Sequence, residues 1–283
     1  MSDDIGADLL AKIRREFAAA VSKKSNDDYI RSILQKVDNG TASLEDVSKF
    51  ARGVGSRLAD IIKSNVTLEA LPDGKMYYNI ANTVLGSTVH DNYELVNGVA
   101  AQVQKSLDET AGIKIKPQKA DYPADRVHKI VNSVCDDTVY FGTIQRRMTV
   151  PVQNVTESFY SDYVKANADF RSKAGLECHI IRNDHAGCCE WCAKLAGKYS
   201  YPDDVPKDVC RRHDNCTCDV TYTSEKGYQN LWSKKSWTPS AEEKERMANT
   251  KANITRYTPE QAKAKENEIK KRMFGVEKVG KVV

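Results

Sequence analysis

Six of the eight cysteines fall between Cys188 and Cys218, and His213 lies among them. No other feature of the chain limits its folding as much. A C-x-x-C pair lets two thiolates reach one ion from a tight turn or a helix start, and a second pair of ligands some 20 residues later completes a tetrahedron. Cys189 and Cys192 make the first pair, and the run His213-Asp-Asn-Cys216-Thr-Cys218 supplies the second. Cys216 and Cys218 are two positions apart and share one face of a strand. One of these two is therefore expected to ligate, with Cys216 ahead of Cys218. The predicted site is a structural Zn2+ held by Cys189, Cys192, His213 and one of Cys216 and Cys218. Cys188 and Cys210 are bystanders, and Cys135 and Cys178 are core. The competing readings are buried reduced thiols, since free cysteine packs as a small hydrophobe, and disulfides.

The compartment bears on that choice. The N-terminus reads M-S-D-D-I-G, with neither a basic leader region nor an apolar one, so the expectation is a chain made in a cytosol, where structural disulfides are rare. Apolar runs are short and none approaches the length that spans a bilayer, so no membrane partner is expected. Residues are 40% hydrophobic and 29% charged, as in a globular protein.

A catalytic metal would need an open position and an acid/base partner. The H-x-E element of nucleotide deaminases fails at His179, which is followed by Ile180 and Ile181, and no H-E-x-x-H occurs. A nuclease built on Asp184, His185, His213 and Asp214 is the enzymatic alternative. His90 and His128 stand alone in helical surroundings and carry no such pattern.

Hydrophobic periodicity makes the first half helical. Ile5, Leu9, Ile13, Phe17 and Val21 form one stripe. A second helix is predicted over Asp27 to Val37, ending at Asn39-Gly40, and a third from Ser43, whose capping box has Asp46 at the third position, to about Ile62. Helical patterning resumes at Met76 and again over Tyr93 to Leu107. Gly112 to Pro117 alternates like a short strand, and Lys116 to Pro123, a polar connector with two prolines, is the expected domain boundary. Further helices are expected near Asp125–Cys135, Thr138–Arg147 and Val155–Phe170, with Pro151 separating the last two. After Gly175 come short elements: strands at Cys178–Arg182, Lys198–Tyr201 and Cys216–Tyr222, and a helix over Glu190–Ala196.

The expected class is α+β. A helical region spans 1–118, a helical connector 119–174, a zinc-binding α+β domain 175–238 and a charged helical tail 239–283. A small domain with little core of its own needs a staple, which fits a metal. The tail from Glu242 onward holds eleven Lys/Arg against seven Glu, an excess that accounts for the whole formal charge of +4. A solvated helix is the simplest account of it. Trp191, Tyr199, Tyr201, Trp232 and Trp237 surround the cysteine segment and are expected to form its core.

The runs D-H-A-G-C-C-E-W-C-A-K-L-A-G-K (Asp184 to Lys198) and R-H-D-N-C-T-C-D-V (Arg212 to Val220) resemble the C-terminal domain of bacteriophage minor head proteins, the Mu F-like head-morphogenesis group. That domain has a C-x-x-C ahead of a small-residue Gly-Lys turn, then H-P-x-C-R-C. Cys189 and Cys192 match the pair, Leu195, Gly197 and Lys198 the turn, and His213, Cys216 and Cys218 the end. Asp214 stands where the family has Pro, and Thr217 where it has Arg. The likeness covers about Cys178 to Tyr222. It implies a structural protein of low copy in the virion, near the portal, that assists head assembly or genome delivery and is not an enzyme. The implied partners are the portal and the major capsid protein, with non-specific contact between the basic tail and packaged DNA. The alternative is a zinc-dependent nuclease or toxin effector carried by a phage.

Overall fold

A computed structural model describes residues 4–136, 138–185, 187–213 and 218–225, with residues 241, 242, 245, 260, 261, 263, 264 and 268 of the tail. The chain divides into two compact units, Met1–Tyr228 and Gln229–Val283. The described tail residues are helical.

The first unit is α+β. Helices α1 (Ile5–Ala20), α2 (Asp28–Asp38) and α3 (Leu44–Asn65) follow the periodicity of their apolar residues. Asp27 caps α2 by accepting the amides of Tyr29 and Ile30. The capping box of α3 is complete, with the Ser43 hydroxyl taking the Asp46 amide and the Asp46 carboxylate taking the Ser43 amide. Next, α4 (Tyr78–Ala81) passes through a π turn, Asn82–Gly86, directly into α5 (Ser87–Ala111). The two stretches read separately in the sequence are thus one helical run. The stretch from Gly112 to Pro117 belongs to no strand. Its alternation lacks a pairing partner, and Ile113 alone tucks inward.

After α6 (Ala124–Val134), a single helix α7 runs from Phe141 to Lys173, with Pro151 inside it. The expected break at Pro151 is absent. A proline removes one intrahelical hydrogen bond, but α7 is buried on both sides of it, through Ile144 and Met148 before and Val152 and Val155 after. That packing outweighs the local penalty. Helices α3 and α7 approach closely at Gly55, where a Cβ would lie 3.1 Å from both the Gln153 carbonyl oxygen and the Thr156 Cβ.

The residues from 116 to 123, expected from the sequence to be a polar connector at a domain boundary, are docked. The Asn167 side chain accepts the Gln118 amide at 2.8 Å and donates to the Gln118 carbonyl at 2.8 Å. Gly175, at φ +89°, ends α7 in a left-handed turn, and the Leu176 amide reaches back to the Arg171 carbonyl. The chain then enters the sheet.

Strands β1 (Glu177–Asn183), β2 (Gly197–Tyr201) and β3 (Asp219–Glu225) form an antiparallel sheet in the order β2-β1-β3. A short helix, α8 (Glu190–Lys194), lies between β1 and β2. Residue Arg182 of β1 pairs with Gly197 on one side and Val220 on the other. The inner sheet residues Ile180, Val220 and Tyr222 belong to the same hydrophobic cluster as α1 to α7. The sheet therefore shares the helical core and does not close a core of its own. Polar contacts seal the joint. Arg171, fully buried, ion-pairs with Asp108 and donates to Ser224 at 3.1 Å, and the Tyr222 hydroxyl donates to Gln104 at 2.6 Å. Among the described residues, no helix is long and apolar enough to cross a membrane.

Candidate metal centre

Strand β1 delivers the chain to a turn in which the Cys188 amide bonds the His185 carbonyl at 2.9 Å. Cys189 then takes the N-cap position of α8. Its sulfur accepts the Cys192 amide at 3.4 Å, as a hydroxyl or carboxylate oxygen does at other helix starts. Residues i and i+3 of a helical turn share a face, so capping by Cys189 aims both sulfurs the same way. Accepting that amide also pulls the Cys189 thiol below its ordinary range, with the Cys192 side chain and His213 adding to the effect.

His213 arrives from the loop after β2. Its Nε2 lies 3.2 Å from the Cys189 Sγ and 3.1 Å from the Cys192 Sγ, and all three donor atoms fall within 4.8 Å of one another. Zn–S bonds of about 2.3 Å and Zn–N bonds of about 2.0 Å at a tetrahedral angle set sulfur and nitrogen about 3.5 Å apart. A shift of a few tenths of an ångström therefore admits an ion. Two sulfurs and one imidazole suit a borderline-soft metal such as zinc and not a hard cation such as magnesium.

Cys189, Cys192 and His213, read in the sequence as ligands, thus converge. Cys218 is buried next to Cys192, with Cys188 packed on the pair, but it is not one of the three converging donors. Cys216 lies outside the described residues, as do Asp214, Thr217, Trp232 and Trp237. Cys210 packs against the main core, where burial pushes its thiol up to about 11, and Cys178 is buried in β1.

The surroundings fix the trio. Trp191 meets His213 edge-on, with ring centroids 5.9 Å apart. Arg182, only 2% exposed, donates to the Cys192 sulfur at 3.3 Å and to the carbonyls of Val209 and Arg211 at 2.6 and 2.9 Å. One guanidinium thus supports a sulfur donor and braces the loop that carries the histidine, and such support orients metal ligands. The residue before the histidine is anchored too. Arg212 bonds Ser161 at 3.1 Å and Glu157 at 3.3 Å, both on α7. Burial raises the Glu157 carboxyl, an effect that Arg212 and Arg52 oppose. At the start of β3, Asp219 accepts from Ser48 at 2.7 Å and from Arg52 at 3.1 Å, both on α3. The metal loop is therefore pinned to the helical body at Arg212 and at Asp219.

His185 turns toward Asp219, with Nε2 3.4 Å from Oδ2, and Asp184 faces the Cys188 sulfur at 3.9 Å. Neither joins the trio of donors.

The reading of ligand spacing missed Arg182, Arg212 and Asp219. Arg182 had a signal, because strand alternation places Cys178, Ile180 and Arg182 on one face. Charge argued for the opposite face. Compared with protein-family models, curated proteins and solved structures, the chain matches none.

Proposed function

We propose that the chain is a minor head protein of a bacteriophage, a structural component of the virion near the portal, whose Cys189, Cys192 and His213 hold one zinc ion. The convergence of these three side chains carries this reading, because they sit where the head-protein resemblance places its ligands. The fourth ligand comes from Cys216 or Cys218. Bound zinc cross-links α8 to the His213 loop and so stiffens a small knuckle. The chain's own residues do the rest, with Arg182, Arg212 and Asp219 pinning the knuckle to a rigid helical body. Such a body suits docking to the portal or the inner capsid wall, and the basic tail suits contact with packaged DNA.

The second reading is a zinc-dependent nuclease or toxin effector using Asp184 and His185. The contact between His185 and Asp219 favours a positioning role for this histidine, because Asp219 is already engaged by Ser48 and Arg52. Mass spectrometry of virions from a phage encoding this gene separates the two readings. The chain is expected in purified heads at low copy, together with the portal. Its absence from virions, with metal-dependent DNA cleavage lost on His185→Ala, would overturn the structural reading.

A further inference from the structure

A cleft of about 830 Å³ lies between α6, α7 and the loop approaching His213. Eight of its lining side chains are Lys or Arg, and one, Asp162, is acidic. Elsewhere on the surface, Arg14, Lys23, Lys49 and Lys119 each have a carboxylate partner. In the cleft, four of the eight are paired: Arg147 with Asp136, Arg211 with Asp208 and Arg212 with Glu157, while Arg126 comes within 4.0 Å of Asp162. Lys129, Arg146, Lys165 and Lys207 are exposed and make no ion pair among the described residues.

From these observations we infer that the cleft binds the phosphodiester backbone of duplex DNA without reading its sequence. The cations are spread out. Arg146 and Lys165 lie nineteen residues apart on α7, about 28 Å at a rise of about 1.5 Å per residue. A free nucleotide does not need a stripe of that length. A duplex offers about one charge per 1.7 Å of axis, and roughly eight base pairs span the stripe. Uncharged donors stand between the cations, Ser133, Thr143 and Asn154 among them, the mixture that contacts phosphate in protein–DNA interfaces. No aromatic side chain lines the cleft among the described residues, so nothing there stacks the bases of a single strand. None of the three metal-site donors lines the cleft. DNA binding here goes beyond the head-protein reading and does not rest on it.

Fluorescence anisotropy with the full chain and a labelled 20-base-pair duplex tests the assignment. Four phosphate contacts give a salt slope of about −3.6, a loss of affinity of roughly 150-fold between 50 and 200 mM salt. The double variant Lys129→Gln with Arg146→Gln, both exposed positions, is expected to halve that slope and to weaken binding equally for duplexes of unrelated sequence. Lys165→Gln with Lys207→Gln is expected to do the same. Neutralising Lys270, Lys271 and Arg272 in the tail leaves the difference between wild type and cleft variants in place. The assignment is overturned if the duplex does not bind at 50 mM salt or if both cleft variants keep the wild-type slope. It is equally overturned if ATP binds more tightly than the duplex, or if poly-glutamate displaces the duplex at matched charge, which would make the occupant an acidic protein.

Discussion

The helical body and the metal knuckle lie in one compact unit, yet different forces hold them. The body rests on a continuous apolar cluster running from Leu9 to Tyr222, within which Phe50, Val54, Leu58, Phe159 and Tyr160 are almost wholly buried. The knuckle has almost no apolar core. Its buried members are Cys192 and Cys218, with Cys188 beside them. Sulfur contacts, the Arg182 guanidinium and the Trp191–His213 edge contact replace the missing hydrophobic area. Because the inner face of the sheet belongs to the body, a metal bound by the trio would hold α8 and the His213 loop, and the sheet would stand without it. Metal loss and core damage should therefore have separable consequences.

The largest effect is expected from Asp108→Ala. It strands the fully buried Arg171 without its partner, and breaking a buried pair in this way destabilises by about 3–5 kcal/mol. Chemical denaturation should show that loss across the whole first unit, as one transition. Smaller and more local is Ser48→Ala, which takes a hydrogen bond from the buried Asp219, at about 1–3 kcal/mol. If the knuckle is pinned as described, hydrogen exchange in Ser48→Ala rises around His213 more than in α5. Next comes Ser43→Ala, which removes the cap of α3 and is expected to lower stability by about 1 kcal/mol, with the metal site unchanged.

The smallest effect concerns pH. The hydrogen bond from Arg57 holds the Asp27 carboxyl below its ordinary value of 3.8. A depressed folded-state value means that the unfolded chain binds the proton more readily, so the stabilisation is present above pH 3.8 and disappears as pH falls through the folded value. Asp27→Asn keeps a capping side chain but should flatten this acid limb in a stability–pH profile. An unchanged profile would show that the pair is screened by solvent.

Much of this was legible in the sequence. The stripe from Ile5 to Phe17, the Ser43–Asp46 box and the first two strands are local patterns, and local patterns can be read directly. The third strand, expected over Cys216–Tyr222, runs over Asp219–Glu225, which leaves Cys218 just ahead of it. The C-x-x-C spacing and His213 marked the three donors that converge. What escaped depended on distant partners. Ser48 and Asp219 are 171 positions apart, and neither carries a local mark of the bond. Pro151 reads as a break because its penalty is local, whereas the packing that overrides it comes from elsewhere in the fold. The polar stretch after Gly112 reads first as a strand and then as a linker, because the docking of Gln118 onto Asn167 spans 49 positions. The basic cleft escaped for the same reason, as its cations come from α6, α7 and the loop near Lys207, and no single segment of the sequence is conspicuously basic there.

Metal analysis combined with hydrogen exchange tests the staple most directly, on wild type and Cys192→Ser purified without added metal. Wild type is expected to carry one zinc per chain. Cys192→Ser should carry none, with rapid exchange confined to residues 188–196 and the region around His213, while α3, α7 and β1 remain protected. Zinc-free wild-type protein with the knuckle fully protected would contradict the metal. Zinc-free Cys192→Ser with the sheet and α7 unprotected would contradict the division between body and knuckle.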